Sequence, residues 1–194
     1  MNFLAHCLLS CSEEDLLIGN VITDFIKKNE VVYFNESIQK GIELHKSIDQ
    51  FTDTHVASLQ LRNILRPRHD KYAPVVVDLI WDYFLSKKWS HYSGQKLTEF
   101  CSEVYDIISL HINELPVRLQ SKFIQLIEDD FLMAYGTDRR MESSLEWMDN
   151  RVKFKSAFYK TPLDIKENYN QIEQLFDQFF PELVAHSEEF CNCK

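Results

Sequence analysis

Apolar residues recur three and four positions apart along most of the chain, and single breakers rather than long polar stretches separate the runs. That periodicity predicts helices. Ser12-Glu13-Glu14-Asp15 has the form of a capping box and opens a helix through about Ile26, interrupted by Gly19 and Asp24. A second helical stretch runs from about Glu36 to Leu65, with a bend near Thr52 to Thr54, where a cap signal can start a new helix, and Pro67 ends it. From Tyr72 to Trp89 the residues Val75, Val76, Leu79, Ile80, Tyr83 and Phe84 cover most of the helix circumference, so this segment belongs at the centre. Four more helices follow Gly94, over 95–113, 116–135, 138–158 and 162–190. Pro116 and Pro162 stand at first-turn positions, Gly136 is a stop, and Pro181 kinks or splits the last helix. The expectation is an all-α, single-domain bundle of about seven helices spanning residues 1–194.

Composition agrees with that picture. Four glycines and five prolines in 194 residues are too few for a turn-rich β protein, and the length suits one domain with a full core. No apolar run reaches the roughly 18 residues of a membrane span, and Met1-Asn2-Phe3-Leu4-Ala5-His6 lacks the basic segment of a secretory signal, so the chain reads as cytosolic. Five cysteines, an odd number, make no disulfide framework. A zinc site joining Cys7 and Cys11 to Cys191 and Cys193 is conceivable, but the spacings are not those of structural zinc pairs.

The net charge of −9 disfavours a nucleic-acid partner. Its distribution says more. Residues 1–92 hold ten Lys and Arg against twelve Asp and Glu, and residues 93–194 hold eleven against eighteen. With Asp24, Asp49, Asp53, Asp78 and Asp82 set aside as site residues, the first half becomes ten basic against seven acidic, a surface suited to an anionic substrate or an acidic partner.

Those five acids carry the candidate chemistry. Spacings of four stack His45 and Asp49 on one helix face, with Asp53 if the helix continues, and Asp78 and Asp82 repeat the spacing within the most apolar segment. Acids among apolar neighbours are rarely buried unless paired or ligating. Two such ladders, with Asp24 interrupting a third apolar helix, could enclose a divalent ion of the manganese or magnesium kind, since carboxylate and imidazole suit hard or borderline metals. The plainer alternative is a pair of charged surface faces, with Asp49 beside Lys46 and Asp82 beside Lys87, and His6 and His45 as satisfied core histidines. His69-Asp70 is an adjacent His-Asp pair of the kind that marks a large phosphohydrolase superfamily. Placed after Pro67 in a basic stretch, it reads as loop. Arg62, Arg66, Arg68 and Lys71 there suit an anion or an acidic partner, as do Lys27 and Lys28, which otherwise complement a helix dipole. Trp81 and Trp89 read as core or rim aromatics, and His91, His111 and His186 carry no motif.

Four segments in order carry a resemblance: Met1-Asn2-Phe3-Leu4-Ala5-His6, Gly19-Asn20-Val21-Ile22-Thr23-Asp24-Phe25, His45-Lys46-Ser47-Ile48-Asp49-Gln50-Phe51-Thr52-Asp53, and Asp78-Leu79-Ile80-Trp81-Asp82-Tyr83-Phe84-Leu85. Together they resemble the acyl carrier protein phosphodiesterase family along nearly the whole chain. The resemblance implies an HD-like helical fold and metal-assisted hydrolysis, with manganese or magnesium, of the phosphodiester joining 4′-phosphopantetheine to a serine of holo acyl carrier protein. It implies Asp24, His45, Asp49 and Asp78 as metal ligands. His6, Asp53 and Asp82 are then ligands, acid–base groups or orienting residues, and Lys27, Lys28, Arg62, Arg66 and Arg68 contact the acidic carrier. Two positions depart from the pattern: Tyr83 stands where a histidine is expected, and Lys46-Ser47 follows the motif histidine. The alternatives are a metal-dependent hydrolase of a nucleotide or other small phosphoester, and a helical module that binds an acidic partner without turnover.

Overall fold

A computed structural model of the protein describes residues 2–10 and 13–191, except for the side chains of Tyr135 and Arg151. Among the described residues there are nine α-helices and no strand: α1 Phe3–Leu8, α2 Glu14–Ile22, α3 Glu36–Thr54, α4 Val56–His69, α5 Ala73–Lys87, α6 Leu97–Leu110, α7 Val117–Glu128, α8 Asp138–Arg151 and α9 Thr161–Ser187. None is long and apolar enough to cross a membrane.

As its composition predicts, α5 is central. Val76, Ile80, Trp81, Phe84 and Leu85 are fully enclosed, and Trp81 stacks on Phe179 of α9 at 5.1 Å between ring centres. Its indole N–H donates to Ser58 Oγ on α4, so the ring is buried without leaving a polar atom unpaired. Around α5 the helices α3, α4 and α9 form one hydrophobic cluster, while α6 and α7 build a second around Phe123, Val104 and Ile108. α1, α2 and α3 straddle the seam. Leu4, Leu16, Leu44 and Ile48 enter the first cluster, and Cys7, Ile18, Ile38 and Ile42 enter the second. Polar residues of these three helices therefore meet between two dry cores.

Several helix boundaries differ from the sequence expectation, each for a local reason. Residues 3–8 form a helix that the pattern is too short to announce. The stretch 36–65 is two helices, parted at His55, whose ring accepts from Ala57 N and caps α4. Pro67 does not end that helix; it stands in the last turn, and the chain stays helical through His69. α7 stops at Glu128, and the left-handed residue beyond it is Asp130, φ 53°, rather than Gly136, φ −68°. α8 ends at Arg151, short of 158. In α9 the kink lies at Asn168, φ −123° and ψ 18°, and not at Pro181. The Asn168 amide donates to the Asp164 carbonyl and competes with the backbone for it. Ser12 of the expected capping box lies outside the described residues, as do Cys11 and Cys193 of the conceivable zinc site; Cys7 is buried and free.

Candidate metal centre

α2 and α3 touch backbone to backbone. A Cβ built on Gly19 would lie 2.0 Å from the Ile38 carbonyl oxygen, and one on Gly41 would lie 2.2 Å from that of Leu16. Only glycine fits at both places. This approach brings the Asn20 carbonyl, near the end of α2 where helical donors run out, to 2.7 Å from His45 Nδ1 on α3. The Asn20 side chain points the other way, to α1, with its Oδ1 2.7 Å from His6 Nδ1. Asn20 is fully buried, and its Nδ2 donates to the His6 carbonyl at 2.9 Å and to Ser10 Oγ at 3.0 Å. Ser10 Oγ in turn donates to the same carbonyl. One asparagine thus orients both imidazoles.

These contacts assign the tautomers. A carbonyl oxygen only accepts, so His45 donates from Nδ1 to Asn20 O. The atom of Asn20 facing the His6 carbonyl must be the amide nitrogen, which leaves Oδ1 as the acceptor opposite His6 Nδ1; that ring also donates from Nδ1. In both neutral rings Nε2 is therefore a lone pair. The rings stack at 4.1 Å, tilted by 15°, and both Nε2 atoms point at carboxylates. His6 Nε2 lies 3.3 Å from Asp49 Oδ1, and His45 Nε2 lies 3.2 Å from Asp49 Oδ2 and 3.3 Å from Asp24 Oδ1.

Lone pairs facing carboxylates repel unless a proton or a cation stands between them. Burial pushes His6 down to about 4 despite Asp49, so at neutral pH it is uncharged, and its enclosed Nε2 has no hydrogen-bond partner. Burial also opposes a charge on His45, but Asp24 and Asp49 outweigh it and lift the ring to about 9. His45 holds Asp24 below the ordinary carboxylate range; Asp49, despite its partial burial, is held well below it by His45 and His6. Without a metal, a single imidazolium proton serves two carboxylates, and His6 Nε2 remains unpaired. Among the described residues His6, His45 and Asp49 each offer a ligand atom within 4.8 Å of the others, a group that could hold a divalent cation. Asp24, on the turn Thr23–Phe25, lies outside that group and approaches His45 from the solvent side, and its turn is anchored by Phe25 between Phe3 and Phe123.

Other sequence candidates have different surroundings. Asp78 lines the cleft that also contains Asp24, and burial, with Asp49 and Asp53 adding repulsion, raises its carboxyl. Asp82 is no surface charge: it is 1% exposed and accepts from Leu4 N at 2.9 Å, capping α1 from the neighbouring helix. Burial lifts it to about 7. Lys87 pairs with Asp138 instead of Asp82. Asp53 is exposed and ion-paired to Arg62. Arg68 binds Asp164 and Glu167. Arg62 and Arg68 are thus paired with this chain's own acids, while Lys27, Lys28 and Arg66 are exposed. The His69-Asp70 pair is not a loop element: His69 ends α4, buried, 2.7 Å from Asp164, and Asp70 turns the chain at φ 46°.

Sequence reasoning missed Asn20 and Ser10. The available signal was a fully polar residue next to Gly19 within an apolar helix.

A family model described as acyl carrier protein phosphodiesterase matches residues 1–183. The chain belongs to the acyl carrier protein phosphodiesterase family. Relatives of that name include one from Photorhabdus laumondii, 30% identical over 97% of this chain and 96% of its own length. Another, from Yersinia enterocolitica, is 29% identical over 97% of this chain and 98% of its own length. No solved structure matches. For a chain of this family, the segments holding His6, Asn20, Asp24, His45 and Asp49 are the ones that converge in space.

Proposed function

We propose that the protein is a metal-dependent phosphodiesterase that hydrolyses 4′-phosphopantetheine from holo acyl carrier protein and releases the apo protein. Family membership supports the substrate. The observation that supports the metal dependence is the pair of imidazole Nε2 atoms aimed at carboxylates, with His6 Nε2 buried and without a hydrogen-bond partner. His6, His45, Asp49 and Asp24 would hold the ion, manganese or magnesium by the nature of the donors. Such an ion supplies the charge that polarises a phosphoryl oxygen and makes a water acidic enough to attack phosphorus.

The chain's own groups do the rest. Asn20 fixes both rings with Nε2 toward the centre, so no reorganisation is needed when the substrate arrives. Asp78 lines the cleft, its carboxyl raised by burial, and would serve as a further ligand to the ion or pass a proton to the serine oxygen as the bond from phosphorus to that oxygen breaks. Asp82 holds the start of α1 and through it the position of His6. Exposed Lys27 and Lys28, three and four residues beyond Asp24 in the chain, are cations that would suit an acidic carrier. The HD-like relationship belongs to the same proposal, with the histidine and aspartate supplied by His45 and Asp49 of α3 and His6 of α1 rather than by His69-Asp70.

The test is the intact mass of holo acyl carrier protein incubated with the enzyme. The mass should fall by one phosphopantetheine with manganese or magnesium and stay unchanged with a chelator. A mass that never falls with metal present rules the activity out.

A further inference from the structure

A cleft of about 910 Å³ adjoins the candidate metal centre at Asp24, which pairs with His45, and Asp78 lines the same cleft. The far wall is α8, which contributes Arg139, Arg140, Ser143, Ser144, Trp147 and Met148. These positions recur at three and four residues, so they form one helix face, roughly 13 Å long at 1.5 Å per residue. The near wall is Val75 and Leu79 of α5, and Phe3 and Phe131 add apolar surface. The cleft is therefore long, mostly apolar, charged where it meets the metal centre, and within the usual size of small-molecule sites, about 300–1,000 Å³.

We propose that this cleft seats the pantetheine arm of the substrate, a proposal that rests on the phosphopantetheine specificity proposed for the metal centre. Three features match the arm. It is linear, as the helix face is. Its methylenes and geminal methyl groups suit Val75, Leu79 and Trp147. Its amide N–H groups need acceptors within an apolar channel, and the hydroxyl of Ser143, which donates to the Arg139 carbonyl at 3.1 Å, keeps lone pairs free to accept. Arg140 is held by Asp130 at 2.6 Å and braces the wall, while Arg139 is exposed on it, a cation suited to the phosphate end. The phosphate lies at the Asp24 and Asp78 edge, and the thiol end runs along α8.

Calorimetric titration of the full-length, magnesium-loaded protein with free 4′-phosphopantetheine tests this without requiring turnover, with adenosine monophosphate as the competing probe. Val75, 39% exposed, is replaced by the larger side chain in Val75→Trp to fill the cleft, and Trp147, 59% exposed, is truncated in Trp147→Ala, a surface change the fold tolerates. Phosphopantetheine should bind the unaltered protein; Val75→Trp should weaken binding at least tenfold and Trp147→Ala severalfold, with circular dichroism and metal binding retained. Absence of binding to the unaltered protein, equal binding by Trp147→Ala, or tighter binding of the nucleotide would overturn the assignment. Binding that follows the prediction while holo carrier keeps its mass would instead remove the proposed activity and leave the cleft assignment standing.

Discussion

The molecule contains two buried histidine–aspartate arrangements, and they differ in what their protons can do. At the end of α4, His69 Nε2 lies 2.7 Å from Asp164 Oδ2, while the other oxygen of Asp164 binds Arg68. One carboxylate there faces a donor on each side, and both His69 and Asp164 are almost completely enclosed. At the seam of α1, α2 and α3, two imidazoles have their Nδ1 protons committed to Asn20 and turn Nε2 toward two carboxylates, one of them largely open to solvent, with a single proton, on His45, between them. In the first arrangement the carboxylate is bridged on both sides and only His69 Nδ1, which faces no carboxylate, lacks a partner; in the second the orphaned His6 Nε2 faces a carboxylate, and the group is short of positive charge. A buried histidine beside an aspartate is thus no mark of a site, and the balance of donors and acceptors around it decides.

The largest effect that sharpens this contrast is expected from Asp49→Asn. It removes the carboxylate shared by both rings and should lower metal affinity and turnover well beyond the roughly 10–100-fold effect of a supporting residue, as read by calorimetry and carrier mass. The fold should survive, since Asp49 is part-exposed.

The next effect is on pH. In the metal-free protein His45 keeps its proton up to about 9 because Asp24 and Asp49 outweigh its burial. An ion has to displace that proton, so apparent metal affinity should rise about tenfold per pH unit between 7 and 9 and then flatten. For folding the sign is the opposite: the raised His45 value stabilises the metal-free protein fully below its unfolded value near 6.5, and this contribution fades as pH rises through about 9. An affinity that falls with pH across this range would place the metal elsewhere.

Asn20→Leu should lower metal affinity and turnover by about 10–100-fold by freeing the His6 ring, while the Asn20 backbone carbonyl still holds His45. His69→Gln, in the other arrangement, should cost about 1–3 kcal/mol in urea unfolding and leave metal affinity unchanged, because it only weakens the buried contact with Asp164. The smallest change is expected from Asp82→Asn, about 1 kcal/mol or less by thermal unfolding, since the amide oxygen still accepts from Leu4 N.

The helical fold was legible in the chain because the periodicity of the apolar residues is strong where helices are long, as in α5 and α9. It failed at ends set by tertiary partners. His55 and Asn168 redirect the backbone with their own side chains, and α1 is held by an aspartate 78 positions away. His45 and Asp49 were legible as a pair because spacing of four within a helix is a local property. That Asp82 caps a helix, and that Arg62 and Arg68 are neutralised by Asp53, Asp164 and Glu167, depends on which helices become neighbours. Asn20 stayed hidden for the same reason: its role needs the Gly19–Gly41 contact, which nothing on either helix alone announces.

The central claim is that His6 and His45 are joined through one divalent ion while His69 is not. Side-chain imidazole resonances recorded during a substoichiometric manganese titration test it directly, because the paramagnetic ion broadens nearby nuclei. The account predicts that the His6 and His45 signals vanish first, with both rings retaining the Nδ1–H tautomer when diamagnetic magnesium is used instead, while the His69 signal stays sharp. Sharp His6 and His45 signals at saturating manganese, or selective loss of His69, would contradict it.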